Sequence, residues 1–296
     1  MDYEILYDLP EGEYDGRGIR GIRTKTIRSG SLLEVMCYPI TKVSAAAKRE
    51  AWRRRSSASQ ERMNAINTQR HMDRLIEANF LQGDHVLTLT YEYPAWDRGA
   101  GSVEFYQNEY QRAGVPWDIA SAARDFKNFI KRVKRAVKRL GGETKAVKYL
   151  YVIESGKEPA GGGLPPRYHM HAVLHAPALT LSSIREIWGR GFTRCDGLEL
   201  NFNGAERLSK YFTKQRRYER RWGHSKNLVI PENRAKISDR RVSRRRAARI
   251  AADVQHDGRA IFEQIYPDYR MIEDPRVTWS DFIPGAYIYA RMRRRD

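Results

Sequence analysis

The sequence predicts an α+β protein in which amphipathic helices cover an antiparallel sheet. Residues 85–91, 145–154 and 168–175 alternate in polarity or are rich in apolar and aromatic residues, which is typical of strands. Residues 117–140 place apolar side chains at three- and four-residue steps, which predicts a helix with one apolar face. The Gly- and Pro-rich loop 155–167 joins two of the strands, so we expect these strands to form a long hairpin.

The composition indicates a globular protein with an anionic polymer as its partner. The 296 residues are 41% hydrophobic, enough for one large domain or two ordinary ones with a full core. Lys and Arg number 54 against 36 Asp and Glu, and the resulting charge of +18 favours nucleic acid. A membrane surface is the competing partner, but no uninterrupted apolar run approaches the ~18 residues that a membrane span needs.

The chain shows no pattern of secretion or of disulfide bonding. Residues 1–4 lack the positive and then apolar pattern of a signal peptide. Cys37 and Cys195 provide neither a disulfide framework nor the spacing of a zinc site. These features are consistent with a reducing cytoplasm.

The first 80 residues predict a loop, a strand and a long helical region. Residues 1–30 are polar and Gly-rich, as loops are, and residues 32–40 predict a strand. Residues 44–79 predict helix because they are rich in Ala and Arg and then carry apolar residues at mostly helical spacing. The basic run 53–55 could contact phosphates, although such runs are more often solvated faces.

Two histidines and a glutamate form the first candidate site. His169 and His171 are two apart in a predicted strand, so both side chains point to the same face. Glu154 ends the preceding strand, and antiparallel pairing would bring it to the same end as His169. Two imidazoles and a carboxylate can hold a divalent metal, and imidazole suits Mn, Fe, Co, Ni and Zn better than Mg. The alternative is a set of polar side chains on a solvated strand.

A tyrosine and a lysine on a later helix form the second candidate site. Residues 183–188 predict a short helix, residues 192–195 and 198–202 short strands, and residues 204–221 a second helix. Tyr211 and Lys214 are three residues apart and share one edge of that helix. A helical tyrosine usually serves packing, and a phenol of pKa ~10 is a poor nucleophile at neutral pH. It becomes competent beside a cation and a metal-bound phosphate, and Tyr218 is a second candidate nucleophile two turns later.

Basic residues on three segments predict contacts with a nucleic-acid backbone. The outer face of helix 117–140 carries Lys127, Lys131 and Arg135, and Arg216 and Arg217 follow Tyr211. Residues 237–254 predict an Arg-rich helix that could clamp DNA. Simple solubility is the alternative interpretation of each of these surfaces.

Three of these stretches, in this order, resemble the motifs of rolling-circle replication initiators. Val86-Leu87-Thr88-Leu89-Thr90 is similar to motif one, and His169-Met170-His171 resembles the His-hydrophobe-His motif that names the HUH endonucleases. Tyr211-Phe212-Thr213-Lys214 resembles the Tyr-x-x-Lys motif. The overall style is most similar to the initiators of small single-stranded DNA phages and related prophages. The resemblance covers roughly residues 80–220 and rests on order, spacing and placement together.

The resemblance implies a fold and a division of the chain. The fold would be an α+β, RRM-like or ferredoxin-like HUH domain, with a central antiparallel sheet of five strands flanked by helices. It would occupy residues 81–222, between a basic, partly helical N-terminal extension (1–80) and a basic, helical C-terminal extension (223–296). His169, His171 and Glu154 would be metal ligands, Tyr211 the nucleophile, and Lys214 a group that orients or neutralises charge. His175 would line the sheet without binding the metal.

The resemblance also implies a reaction and its partners. With Mg²⁺ or Mn²⁺, the protein would nick single-stranded DNA at a replication origin, leaving a 5′-phosphotyrosine and a free 3′-OH that primes a polymerase. A later 3′-OH would reverse the step and rejoin the strand. The sequence has no Gly-x4-Gly-Lys-Ser/Thr loop, so a host helicase would unwind the DNA. The expected location is the cytoplasm of a bacterial host cell.

Two other kinds of protein remain as alternatives. The first is another HUH enzyme, either a relaxase or a single-strand transposase. Relaxases usually place the tyrosine before the histidines, and small transposases are usually about half this length. The second is a DNA-binding protein without catalysis, which would not require Tyr211, Lys214 and both histidines together.

Overall fold

The protein is an α+β structure with two antiparallel sheets, as the computed structural model of residues 19–41, 57–92, 103–155, 168–213, 220–279 and 285–295 shows. The predicted α+β class is therefore confirmed. Short 3₁₀ and π-helical turns occupy Pro231–Arg234 and Val254–Gly258. In chain order the other elements are β1 (Ile19–Ser29), β2 (Leu32–Thr41), α1 (Ser57–Asn79), β3 (His85–Thr90), α2 (Val103–Arg112), α3 (Ile119–Arg139), β4 (Lys148–Ser155), β5 (Tyr168–His175), α4 (Leu181–Trp188), β6 (Thr193–Gly197), α5 (Glu206–Thr213), β7 (Arg220–His224), β8 (Lys236–Ser238), α6 (Arg244–Ala252), α7 (Arg259–Ile265), β9 (Tyr269–Met271), β10 (Arg276–Thr278) and β11 (Tyr287–Arg294).

The chain divides into two compact units. One contains the described residues up to Ala78, the segment Asn201–Ser209 and the described residues from Val229 onward. The other contains Asn79–Leu200 and Lys210–Leu228, apart from the residues outside the description. The functional boundaries at 80/81 and 222/223 stay a prediction. None of the helices in the described ranges is long and apolar enough to cross a membrane.

The second unit is built on a five-stranded antiparallel sheet in the order β6-β3-β5-β4-β7. One face of this sheet is apolar, since alternate residues such as Leu89, Met170 and Ile153 are fully buried. The apolar stripes of α3 and α4 cover that face, with Phe126, Phe129 and Trp188 among the packed side chains.

Helix α3 has clear start and stop signals. The Asp118 carboxylate accepts a hydrogen bond of 2.7 Å from the backbone N–H of Ser121, which caps the first turn. Gly141 lies just beyond the last turn with φ of 77°, a left-handed conformation that glycine adopts without steric cost. The predicted helix over residues 117–140 is thus confirmed within two residues at each end.

The first unit carries a six-stranded antiparallel sheet that the sequence interpretation missed. Its order is β10-β11-β2-β1-β8, with β9 also paired to β11. Helices α6 and α7 bury Ile250 and Phe262 against residues of β2 and β11. The N- and C-terminal segments are therefore not helical extensions but strands and helices of one shared core, and the prediction of helical extensions is corrected.

The loop predicted over residues 1–30 is also wrong where the structure describes it. Strand β1 spans Ile19–Ser29 and pairs with β2 along its length, with an irregularity between Ile19 and Gly21. Ile22 and Ile27 are buried, while Arg20 and Arg28 are exposed. Glycine and charge obscure this alternation in the sequence, and pairing with the strongly apolar β2 stabilises the strand.

Buried ion pairs connect the elements of the first unit. Arg291 on β11 donates to Asp73 of α1 at 2.8 Å and to Glu206 of α5 at 2.6 Å. Burial raises the pKa of Asp73 to about 7, although the charge of Arg291 acts in the opposite direction. In the described residues, Oδ1 of Asp73 has no hydrogen-bond partner. Asp73 is thus an acid whose charged form is disfavoured by folding.

We expect Asp73 to make the stability of the protein fall as the pH rises. Its pKa is 3.8 when solvated and about 7 when folded, so between these values the folded protein holds a proton that the unfolded chain has lost. The free energy of unfolding therefore decreases with pH across this window, by up to about 4 kcal/mol. Denaturant unfolding of the wild type and Asp73→Asn from pH 4 to pH 8 isolates the effect, because asparagine does not titrate. A pH-independent difference between the two proteins would contradict this assignment.

Candidate metal centre and the helix of Tyr211

Glu154, His169 and His171 come together on the face of the five-stranded sheet opposite the apolar core. Nε2 of His169 lies 3.5 Å from Oε2 of Glu154, and Nε2 of His171 lies 3.8 Å from the same oxygen. The candidate ligand atoms of all three residues are within 4.8 Å of one another. Strands β4 and β5 pair antiparallel with Glu154 directly opposite His169, which confirms the predicted hairpin and its register.

The donor set fits a divalent metal ion. Nitrogen and oxygen ligands lie about 2.0–2.2 Å from such ions, so neighbouring ligands at about 90–110° are about 3.0–3.5 Å apart. The two measured separations are close to this range. Glu154 and His171 are buried, whereas the side chain of His169 is 28% exposed and leaves the cluster open on one side. Two imidazoles and one carboxylate favour Mn²⁺ over Mg²⁺ because magnesium prefers oxygen ligands.

Thr88 on β3 orients His171, a contact that sequence reasoning did not identify. Thr88 lies directly opposite His171 in the β3–β5 ladder, and its Oγ1 is 3.1 Å from Nδ1 of the imidazole. When Nε2 binds a metal, Nδ1 carries the proton and donates to the Thr88 hydroxyl oxygen. The sequence did contain a signal, since Thr88 lies in motif one on the polar face of its strand. Only the register identified its partner.

Strand β7 replaces the end of the helix predicted over residues 204–221. Helix α5 ends at Thr213, and Arg220–His224 instead pairs with β4 at the edge of the sheet. At Gly223 an added Cβ would lie only 2.9 Å from the Tyr151 ring, so the close approach of β7 to that ring requires glycine. The run of basic residues before Gly223 does not predict a strand, and β7 depends on the free edge of β4.

Trp222 is a second residue of this face that the sequence interpretation missed. It pairs with Val152, which in turn pairs with His171, so the three lie in one row across the sheet. Trp222 is 39% exposed, and its ring lies 5.9 Å from that of His224. A partly exposed indole beside the cluster is a surface on which a base can stack.

Tyr211 lies on α5, whose last turn belongs to the same unit as the metal-ligand cluster. The neighbouring residue Phe212 is buried, and its ring centroid is 6.3 Å from that of His171. The structure describes the backbone of Tyr211 within this helix. Its side chain, together with Lys214, Arg216, Arg217 and Tyr218, lies outside the described part of the chain.

The remaining predicted site residues are placed away from the cluster. Nδ1 of His175 lies 2.7 Å from Oδ1 of Asp84, so this histidine pairs with a carboxylate at the other end of β5. Lys127, Lys131 and Arg135 are exposed on α3, the helix that covers the opposite face of the sheet. Their predicted DNA contacts cannot belong to the strand bound at the cluster and stay a prediction for a separate surface.

Comparison with known proteins connects the cluster to DNA replication. Residues 84–216, somewhat under half of the chain, match a family model of replication-associated proteins of the ORF2 kind. The match includes Thr88, Glu154, both histidines and Tyr211. It supports the predicted resemblance to replication initiators. No curated protein and no solved structure matches the chain.

Proposed function

We propose that the protein is a rolling-circle replication initiator of the HUH type, which nicks and rejoins single-stranded DNA at an origin. The observation that carries the proposal is the convergence of Glu154, His169 and His171 inside a segment similar to replication-associated proteins. The proximity of Phe212 to His171 supports it, because this contact places the helix of Tyr211 beside the cluster. A binding protein without catalysis would not need a buried carboxylate facing two imidazoles.

The proposed reaction is a transesterification at one phosphodiester. The phenol oxygen of Tyr211 attacks phosphorus in line with the bond to the 3′ oxygen. That bond breaks, the 3′ oxygen leaves as a hydroxyl that gains the proton lost by the phenol, and the 5′ phosphate becomes a tyrosine ester. The number of phosphoester bonds is unchanged, so a later 3′-OH can reverse the step and rejoin the strand without another energy source.

Each residue of the cluster has a distinct role in the proposal. Glu154, His169 and His171 would hold Mg²⁺ or Mn²⁺, which supplies Lewis-acid polarisation of the scissile phosphate. Thr88 keeps His171 in the tautomer that presents Nε2. Lys214, one residue beyond α5, would offset negative charge that develops on the phosphate and on the attacking oxygen.

The open face of the sheet suits a single strand better than a duplex. The exposed ring of Trp222 lies in the same row as His171, and the bases of single-stranded DNA can stack on such rings. In a duplex the bases are already stacked on one another and are not available to it. The free 3′-OH would be extended by a host polymerase, and a host helicase would separate the strands.

Formation of a covalent adduct tests the proposed function. Labelled single-stranded oligonucleotides from the replicon that encodes the protein are incubated with wild-type protein and Mn²⁺, and the products are separated under denaturing conditions. We expect a protein–DNA adduct that forms with Mn²⁺ and is lost when EDTA removes the metal. If no origin-derived oligonucleotide gives an adduct, the enzymatic proposal is wrong.

A further inference from the structure

A basic groove lies between α3 and α4, on the apolar-core side of the five-stranded sheet. It has a volume of about 830 Å³ and is lined by Arg132, Arg135, Lys138, Arg139, Glu186 and Ile187. Four of these six residues are cationic and one is acidic. The spacing of Arg132, Arg135 and Arg139 places them on one side of α3, so the charges follow the helix axis.

The walls of this groove are held in place by the core. Arg132 donates from Nε to the carbonyl of Ile187 at 2.9 Å and from Nη2 to the carbonyl of Trp188 at 3.3 Å. These carbonyls belong to the last turn of α4, where a cation is favoured. The rings of Phe129 and Trp188 pack edge to face beneath the groove, with centroids 5.8 Å apart. The two helices therefore present their charges from a fixed frame.

The positive charge of the groove is poorly neutralised. Among the described residues, no carboxylate forms an ion pair with Arg135, Lys138 or Arg139, all of which are exposed. Burial, followed by the nearby charges of Arg190 and Arg135, lowers the pKa of Arg132, although Asp125 acts in the opposite direction. A surface with this excess of fixed cations favours a polyanion.

The groove is separate from the metal-ligand cluster. Residues that alternate along β5 point to opposite faces, so His169 and His171 lie on one face while Met170 and Ala172 contact the core beneath α3 and α4. A strand of DNA whose scissile phosphate occupies the cluster is on the other side of the sheet. The groove therefore serves a different segment of nucleic acid from the one that is cut.

The chemistry of the groove favours a duplex. Its lining residues include guanidinium, ammonium and one aliphatic side chain but no aromatic ring, so it offers phosphates a partner and bases no stacking surface. The cluster face shows the opposite character, with Trp222 partly exposed beside the histidines. Cations without stacking groups bind the sugar–phosphate backbone, which a duplex presents continuously.

We propose that the α3–α4 groove binds the phosphate backbone of double-stranded DNA while the opposite face of the same sheet binds the single strand that is nicked. This inference rests on the proposed function for its biological setting, since an initiator acts where duplex and single strand meet. The binding itself requires neither the metal nor Tyr211. It can therefore be tested independently of the reaction.

Anisotropy titrations with a labelled duplex and a labelled single strand, both in EDTA, test the proposal. The groove variant is Arg135→Gln with Arg139→Gln, and the charge-matched control is Arg112→Gln with Lys226→Gln, which alters two cations outside the groove. We expect the groove variant to bind duplex about tenfold or more weakly at low salt. The slope of log K against log salt should fall in magnitude by about 1.8, because each phosphate contact contributes about 0.9.

The single strand provides the opposite comparison. Trp222→Ala should weaken single-strand binding by about tenfold, the effect of losing one stacked base, and leave duplex binding unchanged. The groove variant should retain adduct formation on a short single strand with Mn²⁺.

Three results would overturn the proposal. The first is wild-type protein that does not bind duplex, and the second is a groove variant that loses no more duplex affinity than the control. The third is an equal loss for duplex and single strand, which would assign the groove to single-stranded DNA. A groove variant with unchanged DNA binding would direct attention to an acidic protein as the ligand. Failure of the proposed function appears instead as absence of the adduct in wild-type protein, with duplex binding intact.

Discussion

Replacing Tyr211 with phenylalanine is expected to abolish covalent attachment to DNA. The substitution removes one hydroxyl from α5 and leaves a ring of nearly the same size, so folding should be unaffected. Without the phenol oxygen no tyrosine ester can form, and the rate of adduct formation should fall by at least about a thousandfold. Denaturing electrophoresis of the reaction with Mn²⁺ measures the effect.

Tyr218→Phe is the matched control for this change. It removes the same hydroxyl from the other candidate nucleophile and should leave the rate of the first nicking step close to that of the wild type. If Tyr211→Phe retains the adduct and Tyr218→Phe loses it, the nucleophile is Tyr218 and its assignment to α5 is wrong. Binding of single-stranded DNA and of the metal should be the same in both variants.

Replacing His171 with alanine is expected to remove both metal binding and nicking. His171 is buried, faces Glu154 through Nε2 and is held by Thr88 through Nδ1, so no neighbouring side chain can take its position. Loss of one ligand of three should lower metal affinity by well over the 10- to 100-fold that is typical for loss of a supporting contact. Calorimetric titration with Mn²⁺ and the adduct assay measure the two effects separately.

Two further variants define what the His171 result means. Thr88→Val removes only the hydroxyl that supports Nδ1, and we expect it to reduce metal affinity by about 10- to 100-fold. His256→Ala removes an exposed histidine of the other unit and should change neither quantity. If His171→Ala binds Mn²⁺ like the wild type, Glu154, His169 and His171 do not form a metal centre.

The candidate site could be predicted from the sequence because its parts are local. The parity of His169 and His171 follows from strand geometry, and the hairpin pairing of β4 with β5 places Glu154 opposite His169. Thr88 and Trp222 could not be assigned in this way, since their positions depend on which strands become neighbours of β5 and β4. Sheet order is a property of the whole unit and is not encoded in the periodicity of any one strand.

The sheet of the first unit escaped prediction for a related reason. Strand β2 pairs with β11, which lies some 250 residues later in the chain, and β1 pairs with β8. Neither partner has a strong pattern by itself, because β8 has three residues and β11 ends in a basic run. Their stability depends on burial against α6 and α7, which no local pattern reveals.

The most direct test of the proposed function is to identify the residue of wild-type protein that becomes linked to DNA. The adduct formed with Mn²⁺ is digested with protease, and the peptide that carries the nucleotide is sequenced by mass spectrometry. We predict a single modified residue, Tyr211, linked to a 5′ phosphate, with the released fragment ending in a 3′-OH. A modified residue elsewhere, or a 3′-phosphate on the released fragment, would contradict the proposed mechanism.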